Sequence, residues 1–404
     1  MRNHTIAIAA SLTLALGGLI AWLLAPMSEP SAAQQTTLTS AAMPAPASNM
    51  LGASATSSTG PYSAEGLQAR QTQRSALQQR YERAEQVYSS YREATRYPHE
   101  SRPIAEHADQ TQPFAPIGEE KIPRNSATGE AIKGLRLRTT QERVFMGGQE
   151  SAWFSLQAVD EAGKPLALSI TKAWAQSVPA PGTAVAIIRS DMVFTDDGTL
   201  ADAKALDGIY TTRLLPIKQG FASYGGTIQV MAQISAGGQQ SAVQFDVVYN
   251  PQVPAVWTGM REAMESGSLV FYAKAQVAQA GRYVVSARVD DANGQPFALL
   301  QYNDEVAAGP REFKLQLFGA LVRDKKPAFP LRLRDIDGFL LIPDKFPDRA
   351  NLSRWSGVVH TSASYALERF SDAEWSSEER SRYLTEYGKD VEEARRRLEE
   401  LQIK

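Results

Sequence analysis

The stretch "TDDGTLADAKALDGIYTT", Thr195 to Thr212, gathers four aspartates, Asp196, Asp197, Asp202 and Asp207, around two Asp-Gly pairs. Carboxylate oxygens are what a hard cation such as calcium takes, provided that several converge. The spacing departs from an EF-hand loop, where acids stand at positions one, three and five ahead of the glycine. It also suits plain turn chemistry, because glycine accepts positive φ and an aspartate carboxylate bonds its own backbone two residues on. Calcium at these four residues is the one cofactor the chain suggests, and turn formation is the competing expectation.

Other candidate chemistry is thinner. The four histidines are His4, His99, His107 and His360. His99 and His107 stand near Glu100, Glu106 and Asp109, but eight residues of proline-punctuated chain give their side chains no common focus. His360 has Thr361, Ser362 and Ser364 beside it without the G-x-S-x-G elbow that exposes a serine nucleophile. Asp160-Glu161 and Asp290-Asp291 are adjacent acids in hairpin-type turns, where they point apart. No enzymatic activity is expected. Trp153, Trp174, Trp257, Trp355 and Trp375 could form a platform for sugar rings, although large aromatics are usually core. Cysteine is absent, which excludes disulfides, thiolate zinc sites and cysteine nucleophiles. A formal net charge of −2 with no basic face gives no reason to expect nucleic acid as a partner.

The elements that must position these residues follow in chain order. Ile6 to Leu24 is free of charge and long enough to cross a bilayer, so residues 1–25 are expected to be an inner-membrane anchor. Arg2 holds the N-terminus in the cytoplasm and leaves the bulk outside as a single-pass protein. A cleaved signal peptide ending near Ser31-Ala32-Ala33, with a secreted product, is the alternative. Residues 26–62, rich in Ala, Ser, Thr and Pro, read as a disordered tether. Over 63–97 an amphipathic helix carries Leu77, Tyr81, Ala84, Tyr88 and Tyr91 at spacings of four and three. Five prolines make 98–132 an extended strap.

Beyond Lys133 the period becomes two. Leu135 and Leu137, Ile228 to Ile234, Val243 to Tyr249, Tyr283 to Val289, Phe313 to Leu317, and Leu331 with Leu333 alternate with polar neighbours. Many short strands with no helices between them predict a mainly β fold of two tandem immunoglobulin-like antiparallel β-sandwiches, at 133–250 and 251–345. "SLQAVDEAGKPLAL" from Ser155 matches "SARVDDANGQPFAL" from Ser286, and Asp207-Gly208 answers Asp337-Gly338, which suggests a repeat of common ancestry. The last segment, 346–404, ends in a helix opened by Ser371 and Glu374 as a capping box. Leu384, Tyr387, Val391, Ala394, Leu398 and Leu401 form a heptad seam along it, too short to stand alone. The seam is expected to dock on the second sandwich in a monomer, with the tyrosine stripe or a second copy as the other partners.

The Asp-rich loop resembles an element of bacterial immunoglobulin-like surface domains, and of fibronectin-like domains in calcium-activated chloride channel regulators. "GRYVVSARVDDANGQPFALL" from Gly281, "LFGALVRD" from Leu317 and "DIDGFLL" from Asp335 resemble bacterial proteins with a choice-of-anchor X domain, over roughly Tyr97 to Phe370. That resemblance implies a cell-envelope or surface protein and transfers no catalytic residue. The expected function is a membrane-anchored envelope protein that binds or scaffolds another protein. The alternative is a module that binds cell wall or carbohydrate.

Overall fold

Alternation of apolar and polar residues builds strands, and in the computed structural model of this protein the chain is mainly β. The structure describes residues 64–179 and 186–403. The anchor expected at Ile6 to Leu24 and the tether at 26–62 lie outside the described residues, among which no helix is long and apolar enough to cross a membrane.

The strands gather into four sheets with two apolar cores. In the first lobe one sheet runs in the order Ile117–Lys121, Arg136–Gln141, Ala152–Val159, Tyr210–Leu214. The other runs Phe145–Gly147, Gln239–Asn250, Gly226–Ala236, Leu168–Ser177, Arg189–Asp191. Leu137, Phe154 and Leu214 from the first meet Val230, Phe245 and Val247 from the second in one buried cluster. The rings of Phe154 and Phe245 lie 5.0 Å apart there.

The second lobe has a three-stranded sheet, Ala255–Glu265, Ser268–Val277 and Gly309–Leu317. Its other sheet runs Ser101–Pro103, Pro296–Val306, Gly281–Asp290, Arg332–Leu341, and the last strand also pairs with Arg349–Asn351 and Trp355–Thr361. Phe271, Phe313 and Leu315 pack on Tyr283, Val285, Leu300 and Leu333. The sheet therefore continues past residue 345, where the sequence reading ended the lobe. Pairing of Arg332–Leu341 with Trp355–Thr361 shifts register twice, which erases the period-two signal that would have announced the strand.

The proline-rich segment 98–132 is more than an extended strap. Ser101 pairs with Leu300 in the second lobe, and Ile117 pairs with Gln141 in the first, so the segment gives a strand to each. Between them it turns through Ile104–Glu106 and Ala108–Gln110. The lobes also meet directly: Asn250 Nδ2 donates to Arg349 O at 3.0 Å. The Arg349 guanidinium lies 4.7 Å from the Phe145 ring and 4.8 Å from Phe339.

The repeat is a shared turn. Asp160 Oδ1 accepts from Ala162 N and Lys164 N, as Asp291 Oδ1 does from Asn293 N and Gln295 N. Gly163 and Gly294 take φ of 81° and 79°. Beyond the turn the topologies part: Leu168–Ser177 crosses to the other sheet, whereas Pro296–Val306 pairs back on Gly281–Asp290. Asp337-Gly338 lies inside a strand, unlike the turn at Asp207-Gly208.

Three helices complete the described fold: α1 (Ala64–Ala94), α2 (Gly319–Lys325) and α3 (Glu378–Ile403). The α1 stripe Leu77, Tyr81, Ala84, Tyr88, Tyr91 is half-buried along a helix that is otherwise exposed from Leu67 to Ala94. On α3, Leu384, Tyr387, Val391 and Leu401 are half-buried, and Ala394 and Leu398 are buried. The seam seats on the tyrosine stripe rather than on the second lobe: Tyr91 lies 5.6 Å from Tyr383 and 5.3 Å from Tyr387. Gly388 faces Tyr88, where a Cβ would come 3.8 Å from the ring. The N-cap of α3 is Ser377, whose Oγ accepts from Arg380 N at 3.0 Å. Ser371 is not the cap because Glu374 is taken by Arg380 at 2.7 Å and Arg92 at 3.1 Å.

Two ion pairs moor the helix pair. Arg96 donates to both oxygens of Asp324 at 2.7 and 2.9 Å, and Arg380 holds Glu374. Hydrogen bonds from Arg96 keep the Asp324 carboxyl below its ordinary value against the opposing effect of burial; those from Arg380 do the same for Glu374. A carboxyl depressed in the folded state adds stability above its unfolded value, and loses it as pH falls through the folded one. The thermal midpoint should therefore drop below about pH 4. Asp324→Asn with Glu374→Gln should lower the midpoint at pH 7 and flatten that acid limb. An acid limb of unchanged steepness would contradict the mooring.

Candidate functional site

The aspartate loop is built at the end of the first lobe's four-stranded sheet. Thr195 and Thr211 exchange backbone hydrogen bonds at 2.9 and 2.8 Å, closing residues 196–210 into a loop ahead of Tyr210–Leu214. Gly198 and Gly208 take φ of 75° and 87°, which glycine does without strain. Leu200 and Leu206 take φ of 60° and 62°, where a branched side chain is strained.

Three of the four aspartates converge. One carboxylate oxygen each from Asp196, Asp202 and Asp207 lie within 4.8 Å of one another. Asp202 is buried, at 2% exposure, and accepts from Gly198 N at 2.7 Å and Lys204 N at 2.9 Å. Asp196 accepts from Asp207 N at 3.2 Å and Gly208 N at 2.9 Å, and Asp207 from Ile209 N at 3.0 Å. Asp197 turns outward and is exposed; its Oδ1 accepts from Thr199 Oγ1 at 2.7 Å, which lowers its carboxyl below the usual range.

This donor set, all hard oxygen, is of the kind that holds calcium, and Asp196, Asp202 and Asp207 are the residues that would do so. The same carboxylates already work as turn formers. Each satisfies backbone N–H groups that would otherwise lack a partner in a loop carrying two strained leucines. The geometry was not legible from spacing, since it depends on where the chain reverses at Leu200 and Leu206.

The other candidates are taken up structurally. His360 Nε2 lies 3.1 Å from Glu262 Oε2, while Glu262 Oε1 accepts from Ala363 N and the Tyr365 hydroxyl at 2.8 Å. Ser362 Oγ donates to Ala363 O and accepts from Leu331 N, so it makes no bond with His360. His99 pairs with its neighbour Glu100 and forms no cluster with His107 among the described residues. Ser169 and Lys172 have the S-x-x-K spacing, but they lie on an irregular strand and Lys172 sits over Trp174 at 5.8 Å. Trp174 is further covered by Arg189 at 4.2 Å. Trp257 and Trp355, 98 residues apart in sequence, stack with ring centres 6.1 Å apart, a pairing that no local pattern announces.

No protein-family model matches the chain, and no curated protein matches it. Among solved structures, a DUF4785 family protein from Legionella pneumophila is 12% identical, with a TM-score of 0.39 over 56% of this chain and 57% of its own. Dimeric latent PorU from Porphyromonas gingivalis is 13% identical, with a TM-score of 0.16 over 62% of this chain and 21% of its own. β-Glucuronidase 3 from Bacteroides uniformis is 8% identical, with a TM-score of 0.15 over 59% and 24%. The chain thus spans less than two thirds of each of these proteins.

The loop's hydrogen bonds need no ion. The unfolding midpoint should be the same in EDTA as in calcium, and Asp202→Ala should cost about 1.5–3 kcal/mol by urea denaturation, because two N–H groups lose a charged acceptor. Asp197→Ala, at an exposed carboxylate, should leave the urea midpoint nearly unchanged. A midpoint that falls by several degrees in EDTA and returns with calcium would overturn this account.

Proposed function

We propose that the protein is a non-enzymatic envelope protein, held in the inner membrane by Ile6 to Leu24 with its N-terminus cytoplasmic. Its two lobes act as tandem immunoglobulin-like sandwiches that bind or scaffold another protein outside the membrane. Membership of the choice-of-anchor X proteins belongs to the same proposal. The observation that carries it is the exposed apolar surface of the aspartate loop and of Val193 just ahead of it. Leu206 is 88% exposed, Val193 75% and Leu200 42%. Exposed aliphatic side chains on a loop braced by buried hydrogen bonds are what a protein partner covers at low ordering cost. Two of them adopt positive φ, a strain that folds sustain mainly where function uses it. A second reading, display of a module that binds carbohydrate or cell wall, is favoured by the stacked Trp257 and Trp355.

Site-specific photocrosslinking in the full chain, in its own membrane, separates the readings. A crosslinker at position 206 and another at 193 should capture the same protein, and Leu200→Asp should abolish both adducts. The exposed position 172, on the neighbouring sheet, should give none. Equal labelling from 172, or no adduct at 206 and 193, would contradict protein binding through this loop.

A further inference from the structure

The edge strand Ala255–Glu265 breaks register against Ser268–Val277 between Trp257 and Gly259. Beside that break lies a cavity of about 400 Å³ lined by Trp257, Thr258, Gly259, Arg354 and Trp355. Small-molecule sites span about 300–1,000 Å³, so the space suits one ring with its substituents. The Trp257 ring is fixed in place: its indole N–H donates to Ser353 O at 2.8 Å, and it packs edge-on against Phe313 at 5.6 Å. Trp355 lies at 30° to it. Thr258 stands exposed at the rim, so a ligand would keep part of its surface in water.

Arg354 is the anomaly in this wall. Its guanidinium lies 4.6 Å from the Phe114 ring and has no hydrogen bond or ion pair among the described residues. Nearby arginines are all engaged. Arg143 holds Glu142 at 2.7 Å and Glu150 at 2.8 Å, and Arg288 holds Asp337. The carboxylates within electrostatic range of Arg354 are thus already committed, while burial and the charge of Arg143 both disfavour its charged form. The Arg354 donors are not spent on any protein acceptor among the described residues and reach the open space, where a planar carboxylate would meet them through two parallel hydrogen bonds.

We infer that this cavity takes a pyranose bearing a carboxylate, its ring against the Trp257 and Trp355 indoles and its charge met by Arg354. The inference rests on the carbohydrate reading above and adds the acidic class of sugar. C–H faces of a pyranose suit aromatic rings while its hydroxyls stay hydrated, which fits a half-open space better than it fits an apolar ligand.

Calorimetry on the full-length chain in detergent tests it, with tetragalacturonate and its methyl ester as probes, the ester lacking the charge and carrying an added methyl on each carboxyl. Tetragalacturonate should bind at least about tenfold more tightly than the ester, and the difference should shrink with salt. Arg354→Gln should erase the preference, and Trp355→Ala should abolish binding of both. Should Trp355→Ala misfold, Thr258→Tyr fills the rim from an exposed position and should block binding with the thermal midpoint unchanged. Equal binding of the two tetramers, or a preference that survives Arg354→Gln, overturns the acidic specificity and leaves the carbohydrate reading standing. Binding of neither overturns both.

Discussion

A buried guanidinium holds the strap in place, and the arrangement of both lobes follows from it. Arg288 is 1% exposed on the strand Gly281–Asp290. A charge so placed is tolerable only when its donors are satisfied. Arg288 donates to the Asp335 carbonyl at 2.9 Å, to the Asp337 carboxylate and to the side chain of Gln110. Arg334 repeats the device, with Asp290 and Asp335 at 2.6 Å and the Thr111 carbonyl at 2.9 Å. Gln110 and Thr111 belong to the segment between the two strap strands, so two arginines of the second lobe fix the point from which the chain departs for the first. Once that point is set, Ile117–Lys121 has only a short span in which to find the edge of Arg136–Gln141.

Function is read from what this rigidity leaves exposed. Loops on a braced scaffold present side chains at little entropic cost, and the aspartate loop is braced from within by five backbone N–H bonds to three carboxylates. Its leucines face water. The Trp257 cavity sits on the other lobe, beside the lobe junction, and its Arg354 lies over the Phe114 ring with no carboxylate partner among the described residues. The two proposed contacts, one for a protein and one for an acidic sugar, share no residue.

Much of this was legible in the sequence where a single element determines the outcome. Every apolar member of the period-two runs, from Leu135 and Leu137 to Leu331 and Leu333, is buried. The five residues of the α1 stripe are the half-buried ones of that helix from Leu77 to Tyr91. Pairing between distant segments was not legible. Proline spacing announces an extended strap but carries no sign of which sheet edge accepts it, and the seam of α3 fits several apolar surfaces until Gly388 and the tyrosines are brought together. Asp197 and Asp196 look alike in sequence. Asp196 faces the amides of Asp207 and Gly208, eleven and twelve residues on, whereas Asp197 bonds to Thr199 and stays in water.

The decisive measurement is native-state hydrogen exchange on Arg288→Leu. The Gln301 amide, which donates to Glu100 O at 2.9 Å, reports the seating of the strap on the second lobe. If Arg288 holds that seat, this amide should lose its protection altogether, whereas the central amides of Gly226–Ala236 should lose no more than the fall in global stability, about 1–3 kcal/mol as Asp337 and Gln110 lose their partner. Unchanged protection at Gln301, with stability within about 0.5 kcal/mol of the parent, would show that the strap is held without the arginine.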